Sequence, residues 1–597
     1  MEDLLFYDIE CFLHDTLVIF KNINNEVVRS FWSEDNEKFE DGNGFEQIEP
    51  FIKNKTLVGY NNYYYDDKML VLMMRGLKPT DLHKFNDRLI AGDKCSDIKI
   101  PAWFKSLDCM QQIGVAHPSL KQIEGNMGMS IVESEVSFTI DRPLTEEEKQ
   151  ETFKYCSYDI QATIEIFKLR KHSYFDTKES LLKLYDNSKA ARWNTTTISA
   201  NILLDSPLPK WNRLQIPEDK WKHVDELPTP AYEMWKYAES DPTYKGTYSE
   251  EIFDCDIKFA FGGLHGENVN EHWFEDVKLL DVASMYPSII INLNVLGRAT
   301  NVYQSLKEER LKIKHVDKQK SDALKIVLNS VYGNLKNQYS LLFNPLASAT
   351  VCIYGQMALF DLCRRLYHAD YTLININTDG VAFKDNDPNS PLRNFMDYEI
   401  IWKQWEQDWN MTLELDEFDT WIQKDVNNYI AIKDGKVKVK GAETNKYHFN
   451  PDKGIHNYFA NNDARIIQIA LVEHIVNGTD IIDTLMNNLD KPILYQYILK
   501  AGGTYKGVFD EDGNRMNNVN RIFAVKQKYA GKKIYKVRED GGYCNFPDTP
   551  DYMLVWNEHV DDIEDFEKIV DLNHYYQIIN KKLKHWQKGV MDYVHRI

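Results

Sequence analysis

Asp281-Val-Ala-Ser-Met-Tyr286-Pro-Ser288 closes an apolar stretch, residues 277–281, that reads as a strand ending in an acid. Two later segments belong with it. Lys325-Ile-Val-Leu-Asn329-Ser-Val-Tyr332-Gly333 has helical periodicity. Asn377-Thr-Asp379-Gly380 is a tight turn between two strand-like stretches, 371–375 and 381–384. The first and third segments each put an acid at a strand end. In the second, Lys325, Asn329, Tyr332 and Gly333 fall at i, i+4, i+7 and i+8 and share one helix face. Two acids can hold divalent metal and a lysine can hold a triphosphate, which is the equipment of nucleotidyl transfer.

A second set of acids lies near the N-terminus. Tyr7-Asp8-Ile9-Glu10 puts two carboxylates two residues apart on a strand, so both point to one face. Asn61-Asn62-Tyr-Tyr-Tyr65-Asp66 follows the short strand 57–60, and Tyr155-Cys-Ser-Tyr158-Asp159 sits within the helical stretch 146–171. Singly each is weak, because an Asp-x-Glu is usually an exposed strand end. Four acids in one pocket would repel strongly and would need cations between them. The strands 4–8 and 16–21, the turn near 14–15 and the helical stretch 68–74 complete a βββ-then-αβα pattern.

Composition bounds the rest. At 597 residues the chain is too long for one core, and several domains are expected. It is 43% hydrophobic and 27% charged, as globular chains are. No apolar run reaches about 18 residues, so neither a signal peptide nor a membrane span is expected, and no membrane partner. Eight scattered cysteines without a Cys-x-x-Cys argue for a reducing cytoplasm and against structural zinc. The net charge of −20 would repel phosphate if spread evenly. It is not even: residues 521–538 hold seven basic residues and no acid, with Phe523, Tyr529 and Tyr535 interleaved. Acids concentrate in 34–49 and 558–567.

In order, spacing and type these segments resemble the family B DNA polymerases, over roughly residues 5–540. The resemblance implies an α/β and α+β multidomain chain: an RNase H-like exonuclease, then the palm, fingers and thumb of a right-hand polymerase. The implied boundaries are 1–185 for the exonuclease, 186–276 for a connecting region and start of palm, 277–300 palm, 301–340 fingers, 341–450 palm and 451–597 thumb. The three N-terminal segments resemble the DEDDy 3′–5′ exonucleases. Asp8, Glu10, Asp66 and Asp159 would hold two metals there, and Tyr155 would orient the attacking water. Lys121 would contact the scissile phosphate, or be an exposed helix lysine. Either Asn61 or Asn62 matches the family asparagine.

For the polymerase site the resemblance implies Asp281, Asp379 and the backbone of Val282 as metal ligands. The cofactor would be magnesium, two ions per active site, with manganese as its substitute. Tyr286 would exclude a ribose 2′-hydroxyl. Lys325 would neutralise the triphosphate beside Asn329, with Tyr332 and Gly333 under the nascent base pair. On a preceding helix, 304–314, Arg310 and Lys314 would reach the same phosphates, with Lys307 and Lys312 competing for that role. Lys436-Val-Lys438-Val-Lys440-Gly441 alternates in period two and resembles the Lys-Gly element beside the primer. Tyr429, Lys532 and Lys533 complete the DNA contacts. Implied partners are primer–template DNA, dNTPs and replisome accessory proteins, with the chain a monomer of bacteriophage or mobile-element type.

Three departures stand out. Asn377 replaces the first acid of an Asp-Thr-Asp, Asn427 replaces the lysine of a Lys-x-Tyr, and Ala260-Phe-Gly-Gly263 lacks the tyrosine of a Tyr-x-Gly-Gly. They keep two rivals open: a nuclease with a degenerate polymerase half, and a non-catalytic DNA-binding protein. Only 44 residues separate Asp281 from Lys325, and two helices begin inside that interval. The large insertion of protein-primed relatives has no room there, so a nucleic-acid primer is expected.

Overall fold

The computed structural model describes residues 4–34, 45–114, 117–185, 187–450 and 464–594. Part of the acidic run 34–49 and the first residues of the expected thumb lie outside them. By compactness the chain forms two units. The first joins residues 1–194 to 486–574, and the second takes most of 195–485 with the C-terminal residues.

The first unit is built on a five-stranded sheet, counted among the described residues, in the order β3-β2-β1-β4-β5. Its strands are β1 Leu4–Cys11, β2 Asp15–Lys21, β3 Val27–Glu34, β4 Thr56–Gly59 and β5 Lys105–Asp108. β1, β2 and β3 are antiparallel neighbours, while β1, β4 and β5 run parallel. β2 is buried along its whole length, as a strand covered on both faces must be. The helix Glu146–Arg170 packs across β1 through Ile160, Ile164 and Phe167, all buried with Phe6 and Ile19. Thr145 caps that helix and Glu148 closes the capping box, so its start is fixed chemically. A second helix, Asp66–Met74, lies on the other layer with Met69, Leu70 and Met73 in a core shared with Tyr7 and Ile9.

The same unit carries two small antiparallel sheets. One has β15 Tyr497–Lys500, β17 Val519–Ala524 and β20 Met553–Val555 in the order 15-17-20. The other has β16 Tyr505–Asp510, β18 Ile534–Arg538 and β19 Tyr543–Cys544 in the order 16-18-19.

The second unit holds a nine-stranded antiparallel sheet among the described residues, in the order β14-β13-β12-β9-β11-β10-β8-β7-β6. The strands are β6 Thr247–Ile252, β7 Cys255–Ala260, β8 Gly263–Asn268, β9 Trp273–Val282, β10 Tyr371–Asn377, β11 Gly380–Asp385, β12 Leu413–Asp425, β13 Asn428–Lys433 and β14 Lys436–Lys440. Residues 190–276, which lack clean periodicity, thus supply three strands of this sheet. The helix Pro345–His368 lies against it, with its residues buried from Leu346 through Cys363. That helix corrects the sequence expectation that no long apolar run exists. It is long and apolar enough to cross a membrane, yet the whole of its apolar window is buried inside the protein. Trp405 donates its indole N–H to the Ala358 carbonyl at 2.7 Å, and Trp409 donates to Asp361 Oδ2 at 2.8 Å. Both bonds satisfy the polar edge of a buried indole. The eight cysteines are free thiols, seven of them buried.

Candidate active sites

In the first unit Asp8 and Glu10 project from β1, Asp66 opens the helix Asp66–Met74, and Tyr155 and Asp159 sit on Glu146–Arg170. The four carboxylates form one electrostatic cluster. Burial and then the Asp159 charge push Asp8 well above the usual carboxylate range. Burial, Asp8 and Asp159 do the same to Glu10. Asp66 is raised by burial, Asp8 and Asp67, and Asp159 by burial. Such a set is unbalanced without cations. The Asp8 and Glu10 oxygens and the Cys156 sulfur lie within 4.8 Å of one another. Burial keeps the Cys156 thiol protonated, and hard divalent ions prefer oxygen, so the carboxylates are the fitting donors.

Lys121 resolves one sequence ambiguity. It is not an exposed helix lysine. Its ammonium bonds Asp159, lies 3.2 Å from Glu124 Oε1, and sits 4.8 Å from the centre of the Tyr155 ring. Those partners lift its pKa, whereas burial pulls it down. Glu124, raised to about 8 chiefly by burial, is a fifth acid that sequence reading missed. Its only signal was the i+3 spacing from Lys121.

The two asparagines differ as well. Asn62 is buried and donates to Asp67 Oδ1 at 3.0 Å, while Asn61 is left-handed at φ 61° and donates its N–H to Asp108 at 2.8 Å. Asp67 also accepts from Tyr7 at 2.5 Å, from Ser106 at 2.7 Å and from Arg192. It is a satisfied anchor that fixes where its neighbour Asp66 points.

In the second unit β9 is central, and its register carries the geometry. Asp281 stands opposite Gly380 on β11 and opposite Glu414 on β12. Asn377 pairs with Gly380, so Thr378 and Asp379 alone form the hairpin turn. Thr378 has φ 57°, and the Val282 N–H donates to the Asp379 carbonyl at 2.7 Å. These contacts bring Asp379 to the end of β9. A Cβ on Gly380 would meet the Asp281 carboxylate at 2.9 Å, so a larger residue there would displace the acid.

Asp281 is pushed up to about 7 by burial, then by Asp379 and Glu414, with Lys438 pulling it down. Burial raises Asp379, and Lys440 opposes that rise. The pair therefore fits a hard divalent cation, with two lysines of β14 as partial counter-ions. Glu414 is an acid that sequence reading missed, although the alternation Leu413-Glu-Leu-Asp416 marks it. Tyr429, buried and stacked on Trp421 at 4.2 Å, is raised to about 12 by burial and by both acids. Gly441 has φ 110°, and a Cβ there would fall 2.1 Å from Asn428 Oδ1, so the position demands glycine.

Lys325 and Asn329 are exposed on one face of the helix Lys318–Lys336 with Tyr332 beside them. The Tyr332 ring stacks on Tyr286 with centroids 4.3 Å apart, and the Tyr286 hydroxyl donates to the Gly262 carbonyl at 3.0 Å. On the helix Thr300–Ile313, Arg310 lies in the last turn and Lys314 just past the end. Lys307 is committed elsewhere, donating to Ser288 Oγ at 2.8 Å.

The basic run 521–538 is not one surface. Arg521 is fully buried and donates to Gln496, Glu558, Gly125 and Met129. Lys532 pairs with Asp512 at 2.6 Å, and Lys533 lies 3.7 Å from Asp551.

No protein-family model matches the chain, and no curated protein matches it. Among solved structures it is similar to the family B DNA polymerase of the hyperthermophilic archaeon Pyrobaculum calidifontis, at 13% identity and a TM-score of 0.40. The match covers 98% of this chain and 77% of that chain. At that TM-score the likeness carries no weight for function, which has to come from the residues themselves.

Proposed function

We propose that this chain is a template-directed DNA polymerase that extends a primer 3′-hydroxyl with dNTPs and proofreads with a 3′–5′ exonuclease. One observation carries the reading: the β9–β11–β12 register that sets Asp281 beside the Asp379 turn and opposite Glu414. A bound divalent ion would lower the charge of the reacting phosphate and of the attacking oxygen. Asp281 and Asp379 would hold it, and Asp8, Glu10, Asp66 and Asp159 would hold its counterparts in the first unit. Lys325 and Arg310 take the triphosphate as positive groups on the two helices before Pro345–His368. Tyr286, pinned by its stack on Tyr332 and its bond to Gly262, closes the space a 2′-hydroxyl needs. Lys438 and Lys440 face DNA backbone beside the acids, and Gly441 allows the chain to turn there. In the exonuclease half, Lys121 holds Asp159 in place and Tyr155 orients water.

The sheet order 3-2-1-4-5, with two antiparallel and two parallel pairings, supports an RNase H-like reading of the first unit. The test is a labelled primer–template with magnesium, with and without dNTPs. Extension with nucleotides and degradation without them are expected. Degradation alone would return the nuclease reading, and neither activity would return the DNA-binding one.

A further inference from the structure

β14, the strand of lysines, runs through Gly441 into a turn that a helix distant in sequence holds. Glu443, half-buried, stands in that turn three residues after Lys440, and both of its carboxylate oxygens are taken. Oε1 accepts from Lys424 Nζ at 2.9 Å, with Lys582 Nζ 3.9 Å away. Oε2 accepts from the Trp586 indole N–H at 3.1 Å. Burial pushes the Glu443 carboxyl up, but the bonds from Lys424 and Trp586 and the Lys582 charge outweigh it and hold it below the usual carboxylate range. Lys582 and Trp586 belong to the helix Leu572–Val594. Tyr575, Ile579, Leu583 and Trp586, at i, i+4, i+8 and i+11, are the buried stripe of that helix. An indole this deep needs an acceptor for its N–H, and the one it meets is a charged group on the turn after the lysines.

Short bonds couple Glu443 to the strand. Its N–H donates to Asn428 Oδ1 at 3.4 Å, the Thr444 hydroxyl donates to the Lys440 carbonyl at 2.9 Å, and the Asn445 N–H donates to the Gly441 carbonyl at 2.9 Å. From another helix, Arg465–Asn477, Gln468 donates to the Ala442 carbonyl at 2.9 Å and accepts from the Lys446 N–H at 2.8 Å. The backbone of the turn is therefore clasped without Trp586. What the indole bond adds is the placement of Glu443 and, through the Thr444 and Gly441 bonds, of Lys440. All these residues lie in the second unit. This inference rests on the reading of Lys438 and Lys440 as contacts to DNA backbone, where a shift of an ammonium decides whether it meets a phosphate. We propose that Glu443 and Trp586 are positioning residues for DNA: the helix Leu572–Val594, through its indole bond to Glu443, holds Lys440 where it reaches the phosphate backbone of the primer–template.

The experiment measures binding of a labelled primer–template to the full chain over a range of salt, for the unaltered protein, Trp586→Phe, Lys440→Ala and the double variant. Phenylalanine keeps most of the buried ring and removes the N–H. Trp586→Phe is expected to weaken binding about five- to tenfold near about 0.1 M salt and to flatten the log–log salt dependence by up to about 0.9, as loss of one phosphate contact does. On top of Lys440→Ala it should cost less than about twofold, because the contact it serves is already gone. A packing defect alone would lower the denaturation midpoint and leave the salt slope unchanged. Glu443→Ala removes the same tie with the indole intact and covers the case in which Trp586→Phe does not fold. Deleting an acid beside DNA would by itself tighten binding, so the weakening expected of Glu443→Ala has the opposite sign. Extension at saturating DNA should run at the unaltered rate in Trp586→Phe, since neither residue touches the reacting phosphate. Binding at full strength by both folded variants, a loss that multiplies with that of Lys440→Ala, or a slower saturated rate would overturn the assignment and leave the reading of β14 standing. Unchanged binding by Lys440→Ala alone would overturn that reading, and the assignment with it.

Discussion

Asn377 donates its side-chain amide to the Val426 carbonyl at 3.1 Å. An aspartate there would set a carboxylate against a carbonyl and close to Asp379. This gives the departure from Asp-Thr-Asp a structural cause: the amide holds the hairpin that presents Asp379. Asn377→Asp should therefore destabilise the second unit by about 1–3 kcal/mol, read by urea denaturation, because a buried-edge donor is lost and an acceptor left facing it. Unchanged stability would mean the bond does not matter. For Tyr286→Ala, ribonucleotide incorporation should rise at least about tenfold relative to dNTPs in single-nucleotide kinetics. Lys178 offers a pH test. It is buried, donates to Gln111 at 2.6 Å, and is lowered to about 7, mainly by burial. Between that value and the ordinary lysine pKa the unfolded chain keeps a proton that the folded one has shed. Stability contributed at this position accordingly rises with pH across that window and is lowest below it. Lys178→Met should flatten the difference, measured as the midpoint of denaturation at pH 6.5 and 9.5 for both proteins.

β14 is the element on which DNA affinity should turn. Its lysines stand on one exposed face beside the acids, with Lys440 5.8 Å from the Tyr429 ring and Lys438 5.5 Å from that of Phe418. Lys438→Ala should weaken primer–template binding alike on all sequences and flatten the log–log salt dependence by about 0.9, the effect of one phosphate contact. Lys532 and Lys533 should matter less, because each already faces an acid. A loss confined to particular sequences would contradict backbone tracking. The same strand shows what sequence could reveal. Period-two alternation marked β14, and strand-end acids marked β9 and the 377–380 turn, because both signals are local. Glu414 was hidden because its meaning depends on a partner strand more than 130 residues away. The helix Pro345–His368 was hidden because burial all round erases the amphipathic stripe that identifies a helix. Arg521 looked like surface because composition cannot tell a solvated cation from one wrapped in carbonyls.

At the scale of the molecule the two acid sets sit in different units, and the two activities should come apart. Asp281→Ala or Asp379→Ala should abolish extension and leave degradation of the primer intact. Asp8→Ala or Asp66→Ala should do the reverse, both followed on one gel with a labelled primer. Loss of both activities by a folded variant of either class would contradict two independent sites. The order β14-β13-β12-β9-β11-β10-β8-β7-β6 also governs how the chain is made. β9 is synthesised early, yet both of its neighbours, β11 and β12, come roughly a hundred residues or more later. Through that stretch of translation the strand bearing Asp281 waits with two open edges while β6, β7 and β8 can already zip together. Long-range pairing of this kind is slow and leaves unpaired edges exposed. A ribosome paused before residue 413 therefore holds a chain whose Asp281-bearing strand lacks its β12 neighbour, and protection of that strand from protease should appear only after β12 has emerged.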